Sequence, residues 1–233
     1  MSVVIPVLLY ICLVGAFVLV PRAGPWKARR RCKETASGLL ETYGFTADPQ
    51  AGPELVPWSA PPFHYGRRVQ VLDAVRGAFA GLTAEVFGYT CRENGTAHWY
   101  GVAVVHLPRQ LPPLEVHHDQ VFASTAVYYV PAYPQRPTEM EEFDAAYRTS
   151  TPDDALADRL IGPVFARVLL TAAEPFDWRV EGDLLVVTRR DGFTSSAALV
   201  SCCLAAVHAL SPVLDLDPDV FDAPRSSTSG LGA

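Results

Sequence analysis

Residues 69–108 read VQVLDAVRGAFAGLTAEVFGYTCRENGTAHWYGVAVVHLP, and this stretch decides the fold. Val, Phe, Tyr and Trp recur in it with the alternation that half-buried strands show. Asn94-Gly95 interrupts the pattern with the strongest short signal for a hairpin. The segments LEVHH (114–118) and VFASTAVYYV (121–130) continue the β pattern. We therefore predict a mainly β region over 68–130, folded as an antiparallel sheet.

A second block, residues 141–210, mixes helix and strand patterns. Thr151-Pro152-Asp153-Asp154 predicts a helix start, with Thr151 as the N-cap and acidic residues in the first turn. Apolar residues then recur at helical spacing, and Gly162-Pro163 should break that helix in two. FDWRVEG and DLLVVTRRDG suggest a hairpin around Gly182-Asp183, and residues 194–210 an amphipathic helix, with Thr194 or Ser195 as its N-cap. The fold class is therefore α+β: an antiparallel sheet with two or three packed helices in a globular domain over 68–222.

The N-terminal run of residues 3–20, VVIPVLLYICLVGAFVLV, carries no charged side chain. Eighteen helical residues rise roughly 27 Å, close to the thickness of the bilayer hydrocarbon. A cleaved signal peptide would need a basic residue before the run and a better cleavage site than Val20-Pro21-Arg22-Ala23. A buried core helix would rarely be followed by a cluster of cations. We therefore expect residues 1–21 to form an N-terminal transmembrane anchor.

Charge is distributed very unevenly along the chain. The first 33 residues hold six cations and no acid, which leaves 13 basic against 25 acidic residues, a net charge of −12, in the remainder. The positive-inside rule then places the N-terminus outside and the C-terminal domain in the cytoplasm. Such an acidic domain should repel nucleic acid. The cations should contact anionic lipid headgroups; they are Arg22, Lys27, Arg29, Arg30, Arg31 and Lys33.

Residues 22–67 form the predicted basic collar and Pro-rich linker. A short helix over 34–46 precedes a segment with five prolines between positions 49 and 62, which is either an extended spacer or a loop packed on the domain through Trp58 and Phe63. At the other end, residues 223–233 should be a disordered tail. The scattered cysteines, without a CxxC pair, favour a reducing compartment.

Several residue groups suggest chemistry, and none satisfies the geometry that its chemistry needs. His117-His118-Asp119 is the most metal-like, but neighbours on a strand point to opposite faces. The series Asp215, Asp217 and Asp219 begins like a calcium loop and then lacks the required Gly and Glu. Cys203 and His208 lie about 140° apart around a helix. Ser195-Ser196 lacks a nucleophile elbow, and the chain has no P-loop or dinucleotide fingerprint. We assign no catalytic, cofactor-binding or metal-binding residue.

The order of these segments resembles a bacterial family of membrane-anchored domains of unknown function. The likeness covers about residues 68–210 and rests on Gly, Pro and aromatic positions: Gly77, Gly81, Phe87, Tyr89, Pro108, Pro112, Leu114, Phe143, Tyr147, Asp154 and Pro163. The resemblance implies a membrane-anchored domain and transfers no catalytic residue. The scarcity of Lys beside many Arg, Ala and Pro is typical of a GC-rich, actinobacterial source.

Taken together, the sequence predicts a single-pass membrane protein whose cytoplasmic domain is a non-catalytic binding or scaffolding module. Its unidentified membrane-associated protein partner would add a strand to an exposed sheet edge within residues 84–107. Two alternatives stay open. One is a membrane-tethered enzyme with a site around His106, His117 and His118, and the other is a domain that faces the cell envelope.

Overall fold

The computed structural model describes residues 26–50, 63, 67–93, 96–118 and 133–215. Within these ranges the elements follow the order β1 (Thr46–Ala47), β2 (Arg67–Phe79), β3 (Leu82–Glu93), β4 (Thr96–His118), α2 (Glu141–Ala146), β5 (Tyr147–Ser150), α3 (Asp154–Leu160), α4 (Pro163–Leu170), β6 (Asp177–Arg190) and α5 (Ser196–Leu214). A further helix, α1, spans 26–42 at the start. The architecture is α+β, as predicted. The predicted anchor (3–20), most of the Pro-rich segment, strand 121–130 and the tail lie outside the described residues.

The strands form one six-stranded sheet with the order β1-β2-β3-β4-β5, and β6 also pairs with β4. β1 pairs antiparallel with β2 through Thr46 and Arg76. At the far end, β4 pairs antiparallel with β5, where Glu115 lies opposite Ser150 and His118 opposite Tyr147. Since β3 and β4 both have neighbours on each side, the segment 84–107 is interior. The expectation of an exposed edge there is wrong: Ala84, Val86, Val102 and Val105 are buried.

The strands β2, β3 and β4 are joined by two short connections. β3 and β4 are adjacent and separated by two residues, Asn94 and Gly95, which lie outside the described part. Between β2 and β3, Ala80 and Gly81 both have positive φ, 50° and 77°. Two consecutive positive φ angles are what a two-residue type I′ turn requires. The sequence predicts the strands here but gives only a weak signal for this turn.

β6 is a single strand of 14 residues, whereas the sequence predicts a hairpin around Gly182-Asp183. Gly182 has a φ of 64°, and Asp183 is not among the residues with positive φ. The strand continues through this position and pairs with β4, so the left-handed backbone at Gly182 distorts the strand locally without reversing it. The glycine is therefore a local irregularity in a continuous strand.

The helices after β5 begin and end close to the predicted positions. α3 and α4 are separate, and Pro163 is at the first position of α4, so the predicted break at Gly162-Pro163 is confirmed. The N-cap of α3 is Asp153, which accepts a hydrogen bond of 2.7 Å from the backbone of Leu156. The cap lies two residues beyond Thr151, whose hydroxyl donates to the carbonyl of Pro113 at 2.7 Å and accepts from the backbone of Asp153 at 3.2 Å. Ser195 caps α5 by accepting from the backbone of Ala198.

α1 is longer than the predicted helix over 34–46 and includes most of the basic collar. Its buried residues recur at helical spacing: Ala28, Cys32, Thr35, Ala36 and Leu39. After β1, Phe63 is also buried, and its carbonyl accepts a hydrogen bond of 2.7 Å from the Tyr89 hydroxyl. Residues 26–50 and Phe63 are therefore packed parts of the fold; Trp58 lies outside the described residues.

The chain divides into two compact units. Unit 1 takes its described residues from Met1–Gly77, Glu85–Ala103 and Thr188–Leu199, and unit 2 from Ala78–Ala84, Val104–Val187 and Val200–Ala233. The core of unit 1 includes Leu39, Tyr89 and Phe193. In unit 2 the rings of Phe143 and Tyr147 stack at 4.8 Å, and the edge of Phe165 meets Phe143 at 6.2 Å. Each unit thus has aromatic residues in its own core.

Among the described helices, α5 is the one that is long and apolar enough to cross a membrane by length and composition. However, 67% of its apolar window is buried inside the protein, as in the core helix of a soluble domain. In unit 2, Cys202 and Cys203 are fully buried, and Cys202 contacts the carbonyl of Glu174. We describe α5 as a core helix.

Candidate functional site

The two adjacent histidines at the end of β4 are both buried and have different surroundings. The ring of His118 meets the ring of Tyr147 edge-on at 4.8 Å. His117 instead lies between two carboxylates, those of Glu115 and Asp177. His106 is exposed, and Asp119 lies outside the described residues. The structure therefore separates the three histidines of the predicted alternative enzyme site.

A buried acid–histidine cluster is the feature that sequence reasoning missed. Glu115 precedes His117 by two residues on β4, so the two side chains share a face of the sheet. His117 Nε2 lies 3.6 Å from Glu115 Oε2, and His117 Nδ1 lies 3.9 Å from Asp177 Oδ1. All three residues are buried, at 5% to 8% exposure. We refer to Glu115, His117 and Asp177 as the acid–histidine cluster.

Asp177, the first residue of β6, has a perturbed pKa. Burial raises its pKa to about 6, while the nearby His117 and the hydrogen bond from the His118 backbone act in the opposite direction. That backbone N–H donates to Asp177 Oδ1 at 2.8 Å. Asp177 therefore keeps its proton to a much higher pH than an ordinary aspartate.

Neighbouring residues extend this polar cluster within unit 2. Opposite Glu115, the Ser150 hydroxyl donates to Glu115 Oε2 at 3.4 Å. Farther along β6, Arg179 Nε lies 2.8 Å from Glu181 Oε1. Burial, together with the charges of Glu115 and Glu181, raises the pKa of Tyr133.

The cluster can hold and exchange a proton, but its geometry does not suit a metal ion. Glu115 and Asp177 face opposite nitrogens of one imidazole ring, so a single ion could not bind all three groups. Across the described ranges, no group of three His, Cys, Asp or Glu residues is arranged to hold a metal. Because every member is buried, the cluster also lacks the exposed face that a substrate needs.

The other candidates from the sequence do not assemble into sites. Cys203 is fully buried and its pKa is raised well above the usual value, mainly by burial, whereas His208 on the same helix is exposed. A thiol in this state is not a nucleophile. Asp215 pairs with Arg109 at 3.4 Å on the surface, and Asp217 and Asp219 lie outside the described residues.

The second candidate site is the outward surface of α1. Trp26 is 66% exposed, and the Arg30 guanidinium lies 5.8 Å from the centre of its ring. Arg30 also pairs with Glu34 at 2.6 Å. Further cations on this face are exposed, namely Lys27, Arg29 and Lys33. We call the set Trp26, Lys27, Arg29, Arg30 and Lys33 the basic face of α1.

The opposite side of α1 packs closely within unit 1. A Cβ atom added at Gly88 would lie 3.1 Å from Cys32 Cβ, and one added at Gly192 would lie 3.2 Å from Cys32 Sγ. Burial, with smaller contributions from Asp73 and Asp191, raises the pKa of Cys32 to about 12. Beside Cys32, a cavity lined by Thr35 and Phe193 has room for about one water molecule, too little for a metabolite. The part of α1 that carries the cations is therefore held in place by packing within unit 1.

Comparisons with known proteins show the fold and no more. No family model and no curated protein matches the chain. Among solved structures it is similar to the mycobacterial trehalose monomycolate transport factor A, with a TM-score of 0.51 at 14% sequence identity, covering 81% of this chain and 93% of that chain.

Proposed function

We propose that this chain is a single-pass membrane protein whose α+β domain is a non-catalytic binding or scaffolding module at the cytoplasmic face of the membrane. The anchor would be residues 3–20, with the N-terminus outside. Tethering raises the effective concentration of the domain for a partner in the same membrane. The partner class is a membrane-associated protein.

The distribution of charge carries this proposal. An uncharged run of 18 residues is followed by six cations in twelve residues, and then by a remainder with a net charge of −12. Cations beside an apolar span are retained on the cytoplasmic side. In agreement with this, four of the five cations of α1 are exposed, namely Lys27, Arg29, Arg30 and Lys33, and of these Arg30 pairs with Glu34.

The non-catalytic part of the proposal is supported by the burial of the groups that could do chemistry. The acid–histidine cluster and the thiols of Cys32, Cys91, Cys202 and Cys203 are all below 9% exposure. Catalysis needs such groups to contact substrate. An enzyme remains the second candidate, favoured by the convergence of Glu115, His117 and Asp177; a substrate that altered the protonation of Asp177 would support it.

The structural likeness suggests what kind of process the module serves. The neighbour is a mycobacterial transport factor for trehalose monomycolate. At 14% identity the likeness concerns the fold, and we propose for this chain only the general role of an accessory factor in transport. A domain that faces the envelope is the alternative orientation.

Membrane extraction tests the anchor directly. We expect the full chain to remain in the membrane pellet after alkaline carbonate washing. The double variant Leu9→Arg/Val14→Arg should move to the supernatant, because each charge at the centre of a span costs roughly 2.5–3.5 kcal/mol. A matched control, Thr42→Arg/Ala155→Arg, adds the same two charges at exposed positions and should stay in the pellet. Release of the unmodified chain by carbonate would contradict the proposal.

A further inference from the structure

The cations after the predicted span are part of a rigid, folded surface. Ala28, Cys32, Thr35 and Leu39 of α1 are buried in unit 1, and the backbone approaches at Gly88 and Gly192 leave no space there for a side chain without displacement. The outward side carries the basic face of α1. Its position relative to the rest of unit 1 is therefore set by packing.

The composition of this face fits one class of ligand. Residues 26–33 contain five cations and no acid, and Glu34 neutralises only one of them. Trp26, two-thirds exposed, is a large amphipathic side chain of the kind that lies at the level of lipid headgroups. A helix with Trp and cations on one face and the opposite face held by protein can lie against an anionic bilayer surface.

The position of the face in the chain favours lipid over other anions. Trp26 follows the end of the apolar run at residue 20 by six positions, a maximum of about 22 Å of extended chain. A tether this short keeps the face beside the bilayer. The strongly acidic remainder of the chain would be repelled by the same surface.

We infer that the basic face of α1 binds anionic lipid headgroups and thereby fixes the orientation of unit 1 on the membrane. This inference rests on the proposed anchor, but it claims more: the folded unit lies against the bilayer and is not suspended from it. The occupant is the headgroup layer of a bilayer containing phosphatidylglycerol or a similar anionic lipid.

The test uses the full chain in nanodiscs of phosphatidylcholine alone or mixed with phosphatidylglycerol. A fluorophore on Glu34→Cys, in a Cys12→Ala background, reports contact through quenching by headgroup spin-labelled lipid. We expect stronger quenching in the anionic discs. The triple variant Lys27→Gln/Arg29→Gln/Lys33→Gln should lose this extra quenching, as should high salt.

A matched variant distinguishes the effect of the charges on the basic face of α1 from the effect of the total charge of the chain. Arg109→Gln/Arg159→Gln/Arg167→Gln removes the same number of exposed cations from unit 2 and should keep the extra quenching. Equal quenching in both lipids, or loss in both triple variants, would overturn the inference. Binding of this face to an acidic protein would also appear as equal quenching in the two lipids. Failure of the full chain to enter discs of either lipid would instead count against the anchor.

Discussion

At the scale of single residues, Asp177 shows how burial changes the energetics of a group that the sequence leaves unremarkable. Its pKa is raised to about 6 from an ordinary value of 3.8, because burial penalises the ionised carboxylate more than His117 and the His118 N–H favour it. The folded state therefore binds the proton more tightly than the unfolded chain does. Stability contributed by this group is present at low pH and is lost as the pH rises from about 4 through 6.

Replacing Asp177 by Asn should remove that pH dependence. The amide oxygen can still accept from the His118 backbone, and the cost of burying a negative charge disappears. We expect Asp177→Asn to gain stability relative to the unmodified chain between pH 4 and pH 7, by about 2–3 kcal/mol. Urea denaturation at both pH values measures this difference. Asp158→Asn, at an exposed position, is the control, and a pH-independent effect of Asp177→Asn would contradict the assignment.

At the scale of elements, the sequence predicts the features that depend on residues close together in the chain. Apart from the turn at Ala80-Gly81, the described part of residues 69–108 forms strands as expected, the break at Gly162-Pro163 is present, and Ser195 caps α5. What it misses depends on distant partners. β4 continues ten residues past Pro108 and pairs there with β5, and the single strand β6 brings Asp177 to His117, 60 positions away in sequence. Hydrophobic periodicity does not indicate which strands will pair.

Gly182 gives a test of the continuous strand β6. Its φ of 64° is in the left-handed region, and a Cβ atom there would meet nothing within 4 Å, so only conformational strain opposes a side chain. We expect Gly182→Ala to destabilise the fold by about 1–2 kcal/mol. Gly182→Asn should cost less, because Asn tolerates this region better. Equal urea midpoints for Gly182→Ala and the unmodified chain would show that the backbone at this position is not left-handed.

At the scale of the whole molecule, most of the cations that follow the apolar run lie on α1 and are part of folded unit 1. The sequence alone predicts a basic collar and a Pro-rich linker between the anchor and the domain. Residues 26–50 instead fold into α1 and β1, with Leu39 and Phe45 buried. The spacing Ala28, Cys32, Ala36 and Leu39 is the helical signal that indicates this packing, but the surrounding cations and the nearby apolar run obscure it. Because the cations are part of this packed helix, their contact with a bilayer would set the orientation of unit 1.

That orientation can be measured with a single introduced cysteine. Cys32, Cys91, Cys202 and Cys203 are buried and should not react with a maleimide in the folded protein. Ala155 on α3 is exposed, so Ala155→Cys supplies an accessible thiol. With the domain in the cytoplasm, a membrane-impermeant maleimide should label this variant only after the cells are broken.

The complementary position lies at the other end of the predicted span. Ser2→Cys should be labelled in intact cells, because the proposed topology places the N-terminus outside. The unmodified chain is the control for background labelling and should react only after denaturation. If Ala155→Cys is labelled in intact cells and Ser2→Cys is not, the domain faces the envelope. The basic face of α1 would then meet the outer leaflet, and the positive-inside rule would have failed for this chain.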